Sequence, residues 1–223
     1  MEPTLLNQDH LGPNWLVMVF IAGLGYLAFV RISFPSYVPL LQDGLLNYRL
    51  ARQEIRESPI LGKKGLAWMI PFAFVIWVLI AWVSIAQFSD MGLDESLLVD
   101  IALVLGGSYV IKILTIRLVE RLLGAEYGLE EYVFNIIYFI ELAAIVSFPA
   151  LVLVYFGPDW LIKPLLIGVL GIIAIFSLIR WCRGVIGALR NQAAWYYIIL
   201  YLCALEILPM LVLSKLIMNR LQG

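Results

Sequence analysis

The sequence predicts an all-α fold: a polytopic transmembrane helical bundle of about six spans, with one amphipathic helix in the membrane interface. Three observations predict it. The 223 residues are 63% hydrophobic and 14% charged, with mean hydropathy +0.95, whereas a soluble domain carries about 25% charge. The apolar residues gather in runs of about 20, which carry a helix across roughly 30 Å of hydrocarbon at about 1.5 Å per residue. The runs also lack the strict alternation of barrel strands, and only helices and closed barrels satisfy every backbone group in lipid.

The whole chain, 1–223, reads as one integral membrane domain. Met1 to Asn14 holds Glu2, Asp9 and His10 and no Lys or Arg. No cleavable signal is expected there, because a positive n-region is missing; residues 1–14 read as an outer tail before a retained helix. The spans are expected at about Trp15 to Val30, Leu66 to Phe88, Leu97 to Ile116, Tyr132 to Phe156, Leu161 to Ile179 and Trp195 to Leu216.

The connections alternate in charge. Arg31, Arg49, Arg52, Arg56, Lys63 and Lys64 separate spans one and two, and only Asp90, Asp94 and Glu95 separate two and three. Arg117 and Arg121 follow span three, Lys163 lies between four and five, and Arg180, Arg183 and Arg190 lie between five and six. Basic residues stay on the cytoplasmic side. The expected location is therefore a bacterial inner membrane with both termini periplasmic, although Lys215 and Arg220 at the C-terminal end run against the rule. Trp15 and Trp160 fall at outer ends, and Trp68, Trp181 and Trp195 at inner ends, as interfacial anchors do.

The cytoplasmic loop 31–65 is more than a linker. After Pro35 and Pro39, the stretch Leu40 to Glu57 has helical spacing. Arg49, Arg52 and Arg56 share one face at i, i+3, i+7, with Leu41, Leu45, Leu46 and Leu50 towards another. Such a helix tethers the first two spans, or presents its basic face to anionic lipid or a protein partner. Small residues mark expected close helix contacts at Gly23, Gly25, Gly106, Gly107, Gly168, Gly171, Ala143, Ala144 and Ser147. The two cysteines, Cys182 and Cys203, read as small packing residues rather than a disulfide framework.

Polar residues inside the runs are the functional candidates, because an ionised group at the bilayer centre costs a few kcal/mol or more unless paired or wetted. Glu141 falls in the fourth span and Glu206 in the sixth, both expected near the midplane. Lys112, in the third, can snorkel or pair with one of them. Asn135 and Tyr138 precede Glu141 on the same helix at i, i+3, i+6. Pro149 and Pro209 each remove a backbone hydrogen bond, to the carbonyls of Ile145 and Leu205, and so invite kinks beside the two carboxyls. Three uses stay open for the glutamates: structural cross-link, proton or ion site, and contact with substrate or partner.

Other chemistry is poorly provided for. The single histidine, His10, lies in the outer tail. No HExxH, GxSxG, P-loop or CxxC pattern occurs, so no metal site or cofactor is expected. The basic loops are a topology signal and not a nucleic-acid footprint.

The last run reads Tyr201-Leu-Cys-Ala-Leu-Glu206-Ile-Leu-Pro209, then Met-Leu-Val-Leu-Ser214-Lys215. It resembles the C-terminal motif of an uncharacterised integral membrane protein family of Bacteroidota, a domain of unknown function. The resemblance implies an inner-membrane location and carries no reaction.

Together these features favour a non-enzymatic polytopic inner-membrane component of a cell-envelope system, acting with a membrane or cytoplasmic protein partner. The alternative is a small proton- or cation-coupled transporter or flippase using Glu141 and Glu206, modulated by Lys112. An intramembrane enzyme acting on lipid comes third. The lipid bilayer is the one partner common to all three, and a homo-oligomer is compatible with each.

Overall fold

The computed structural model describes residues 14–35, 37, 41, 59–88, 95–123, 129–190, 211 and 215. Five helices are described in full: α1 (Trp15–Ser33), α2 (Pro59–Phe88), α3 (Glu95–Leu123), α4 (Leu129–Phe156) and α5 (Asp159–Arg190). The described residues contain no strand. Four of these helices contain a stretch long and apolar enough to cross a membrane: Trp15–Ser33, Gly65–Phe88, Asn135–Phe156 and Trp160–Arg183. These mark a membrane protein and coincide with spans one, two, four and five.

α3 covers the third expected span. The sixth span lies outside the described residues except for Leu211 and Lys215, which are helical. The amphipathic helix also lies outside them, apart from Leu41, and so do Arg49, Arg52 and Arg56.

The helices run past the apolar stretches that announced them. α2 begins at Pro59, so the last turns of the expected loop 31–65 are helical. A proline opens a helix readily, since its missing N–H would have no partner there and its φ is already helical. Lys63 and Lys64 are good helix formers that hydropathy alone assigns to a loop.

α1 ends because of Pro35. Clash with a proline ring keeps the preceding residue out of the α region, and Phe34 adopts φ −133° and ψ 71° while its N–H still bonds the Val30 carbonyl at 2.8 Å. The Tyr37 N–H then closes a turn on the Phe34 carbonyl at 3.0 Å. That turn leads inward: Tyr37 and Leu41 are buried. The root of the expected cytoplasmic loop thus places two helical residues, Tyr37 and Leu41, in the packed interior. It contains no charge between Arg31 and Asp43, which is why it can do so.

The chain divides into two compact units, one of Met1–Ile76 with Glu141–Ile173 and one of Trp77–Ile140 with Ala174–Gly223. The division falls inside α2, α4 and α5.

In the first unit, α1 runs antiparallel to α2: Phe29 meets Trp68 and Tyr26 stacks on Phe72. Its other contacts are on α4, where Phe20 packs against Phe148 and Tyr155, and Phe72 meets Phe148 edge-on at 5.5 Å. Gly23 permits this approach, since a Cβ there would lie 3.2 Å from the Phe148 ring. Gly25, Gly107, Gly168 and Gly171, expected at close contacts, have no described neighbour within 4 Å of an added Cβ. Small residues allow close packing without determining which face uses it.

Pro71 stands inside α2 and cannot donate to the Ala67 carbonyl. At this loosened turn the Tyr26 hydroxyl donates to the Trp68 carbonyl. α4 and α5 are joined by Gly157 and Pro158 alone. The Gly157 N–H bonds the Leu153 carbonyl at 2.8 Å, and the Leu161 N–H bonds the Pro158 carbonyl at 2.9 Å.

In the second unit, the Trp77 indole N–H donates to the Ile140 carbonyl at 3.2 Å, tying α2 to α4. Phe139 packs against Tyr138 and Phe176. The Arg183 guanidinium lies 5.1 Å above the Phe139 ring, a cation–π contact that holds a basic residue against the helix surface.

Burial is uneven. The apolar stretches of α2 and α4 are each 56% buried, those of α1 and α5 only 17% and 11%. Met18, Ile21, Ile32, Trp160, Ile167 and Leu178 are among the exposed apolar side chains, as lipid-facing positions should be. Cys182, expected to pack inside, is exposed instead. Cys203 lies outside the described residues.

Two substitutions test this packing. At Gly157 an added Cβ would lie 2.4 Å from the Leu153 carbonyl oxygen, so Gly157→Ala should lower stability. Gly23→Leu should cost about 1–3 kcal/mol by overpacking, whereas Gly25→Leu should be near neutral. Thermal unfolding in mild detergent checks all three.

Candidate functional site

Glu141 lies at the seventh residue of the α4 stretch that begins at Asn135, and its side chain is fully buried. The phenol of Tyr37 donates a 2.7 Å hydrogen bond to Glu141 Oε2. The other oxygen, Oε1, has no hydrogen-bond partner among the described residues.

The geometry follows from the chain's punctuation. Pro35 ends α1, the Phe34–Tyr37 turn aims the phenol inward, and Gly65 makes room for it. A Cβ on Gly65 would lie 3.2 Å from Tyr37 Cδ2. One ring therefore rests against the start of the α2 stretch and reaches the α4 carboxyl.

Asn135 and Tyr138 are buried on the same helix. Ser147, further along α4, is fully buried, and its hydroxyl has no partner among the described residues. Pro149 lies inside α4 with helix on both sides, so the Ile145 carbonyl lacks its usual donor.

Lys112 is on α3, but its side chain lies outside the described residues, as do Glu206 and Pro209 entirely. The structure therefore brings Glu141 together with Tyr37. Tyr37 was not among the sequence candidates. Its signal was the uncharged, apolar run from Phe34 to Leu41, interrupted by Pro35 and Pro39. Asp100, within the third expected span, was also passed over; it is half-buried on α3.

Among the described residues, no group of three or more His, Cys, Asp or Glu side chains is placed to hold a metal ion. What the site can do is narrower. A carboxyl with one oxygen held and the other open can lock two segments together, or exchange a proton at the open oxygen.

Residues 16–217 match a family described as a domain of unknown function, DUF4271. The chain belongs to that family. No curated protein and no solved structure matches it. The match takes in all five described helices but the first residue of α1, and it includes both Tyr37 and Glu141. In this DUF4271 chain the pairing of Tyr37 with Glu141 is a buried side-chain hydrogen bond between residues 104 apart in sequence.

Its contribution is measurable. Tyr37→Phe keeps the ring on Gly65 and strips the donor from a buried acceptor, and should cost about 1–3 kcal/mol. Replacing both partners, Tyr37→Phe with Glu141→Leu, should cost less than the sum of the single changes. A double-mutant cycle by thermal unfolding in detergent reads the difference. Strict additivity would show that the bond contributes nothing.

Proposed function

We propose that this chain is a non-enzymatic, polytopic inner-membrane component of a Bacteroidota cell-envelope system that acts with a protein partner, both its termini being periplasmic. The observation that supports this reading best is the buried Tyr37–Glu141 bond at the root of the basic loop. The bond ties the chain to α4 at Tyr37, ahead of the basic stretch, and a tether of this kind lowers the ordering cost of docking. Arg49, Arg52 and Arg56 give that loop a basic face suited to an acidic partner surface.

The test is purification of the full-length protein from native membranes in several mild detergents. A stoichiometric partner should accompany the wild type and be lost when Arg49, Arg52 and Arg56 are all changed to Glu. A lone, monodisperse protein under every condition would count against the reading.

A specific observation favours a second reading. The open Oε1 of Glu141 is more than a cross-link requires, and it suits proton- or cation-coupled transport or flipping by Glu141 with Glu206. On that reading Glu141→Gln and Glu206→Gln accumulate normally, Glu141→Gln retaining an acceptor for Tyr37, yet both abolish flux in vesicles. Failure to accumulate would instead mark the glutamates as structural.

A further inference from the structure

Basic side chains among the described residues fall into two kinds. Arg31, Lys163 and Lys215 are exposed, whereas Arg180 and Arg183 are half-buried. Basic residues at span ends are ordinarily a topology signal, and a topology signal needs neither burial nor a fixed place. Arg180 and Arg183 stand one turn apart on α5, at the end of its apolar stretch Trp160–Arg183. Residues at i and i+3 share a helix face. The Nε of Arg180 is buried. The Arg183 guanidinium lies 5.1 Å over the Phe139 ring. That ring is itself buried and held by Tyr138, edge-on at 5.2 Å, and by Phe176 of α5. The cation thus rests on a packed aromatic platform where α5 meets α4.

We propose that Arg180 and Arg183 bind the phosphate of an anionic phospholipid headgroup at the end of the α5 apolar stretch. The charge is one-sided there: from Trp160 to Leu205 the sequence has no Asp or Glu, so α5 offers these arginines no carboxylate in this stretch. A guanidinium presents five N–H donors in a planar fork that matches phosphate oxygens in pairs. Five donors leave capacity for an anion beside the ring contact, and the ring contact fixes where Arg183 presents them. The setting selects a lipid over a soluble ion. Trp181, half-buried between the two arginines in sequence, is the kind of aromatic that sits at headgroup level. Ile175 and Leu178 are exposed in the turns just before them, an apolar surface for acyl chains. Basic pockets between membrane helices hold anionic headgroups in this way. The site requires only that α5 cross the membrane, and neither functional reading above is needed for it.

The experiment titrates the full-length protein, in non-ionic detergent micelles, with dioleoylphosphatidylglycerol. Native mass spectrometry counts the bound lipids and gives the apparent Kd. Dioleoylphosphatidylcholine is the first comparison, with the same chains and phosphate but no net charge. Inorganic phosphate is the second, with the anion but no chains. The variants are Arg180→Gln, Arg183→Gln and Arg183→Lys. Arg31→Gln is the control, since it removes one charge from an exposed position in the last turn of α1.

The wild type should bind a single phosphatidylglycerol about tenfold more tightly than phosphatidylcholine, the factor expected for two basic residues facing one anionic headgroup. Millimolar inorganic phosphate should not displace it. Arg180→Gln and Arg183→Gln should each weaken binding about tenfold, as loss of one charge-assisted hydrogen bond does. Arg183→Lys, which keeps the charge and the ring contact without the fork, should weaken it less. Arg31→Gln should leave it unchanged. Equal affinity for the two lipids, or an equal loss in Arg31→Gln, would reduce the effect to general charge attraction and overturn the proposal. Unchanged affinity in Arg180→Gln and Arg183→Gln would overturn it too, as would displacement by inorganic phosphate, the mark of a soluble-anion site. Should Arg183→Gln fail to accumulate, Arg180→Gln and Arg183→Lys decide.

Discussion

The bond from the Tyr37 phenol to Glu141 Oε2 joins two stretches 104 residues apart in sequence, inside a fold whose surroundings supply no hydrogen bonds. In hydrocarbon, a polar group must find its partner in the protein or remain unsatisfied. That constraint determines the position of the turn after α1. The phenol bonds Glu141, the turn leads inward to reach it, and an added Cβ at Gly65 would crowd the ring at 3.2 Å. Leu41, four residues on, is likewise helical and buried. The entry into the basic loop is therefore built from the interior outwards.

The same economy recurs elsewhere. Prolines interrupt α2, α4 and α5 at Pro71, Pro149 and Pro164, and each withdraws one donor from its helix. Aromatic side chains with a polar end add donors from neighbouring helices. Tyr26 donates to the Trp68 carbonyl beside Pro71, and Trp77 donates to the Ile140 carbonyl. A phenol or indole suits this task in lipid, since most of its surface is apolar and one atom makes the bond. Contacts between helices here combine ring packing with isolated donor–carbonyl bonds, in line with how helices associate without a hydrophobic driving force between them.

Hydropathy made the helices legible because a lipid solvent imposes it along the whole length of each span. Four of the six expected runs coincide with α1, α2, α4 and α5, α3 covers a fifth, and the sixth lies outside the described residues except for Leu211 and Lys215. Helix ends were less legible. Lys63 and Lys64 extend a helix while ending an apolar run, so hydropathy stops before the backbone does. Glu141 stood out through its cost. Tyr37 did not, because its partner is distant in sequence and its turn looks like loop entry. The glycine pattern was ambiguous for a different reason: Gly23 meets Phe148, whereas Gly168 and Gly171 have no described neighbour within 4 Å of an added Cβ. Spacing tells which residues share a face, and only tertiary packing tells which face is used.

The question that remains physical is why an acid occupies position 141. A glutamine would accept the same bond from Tyr37, and an apolar pair of similar volume would fill the same space at no electrostatic cost. Cross-linking alone therefore does not require a carboxyl. What a carboxyl adds is a second oxygen that can gain and lose a proton. The structure leaves that oxygen without a described donor while holding the first one firmly. A purely structural acid would be expected to use its full acceptor capacity, since every unused lone pair in the interior is a cost with no return. An exchange site needs the reverse: one oxygen fixed for geometry and one left open. Glu141 has one oxygen held by Tyr37 and one without a described donor, the observation on which the coupling proposal rests.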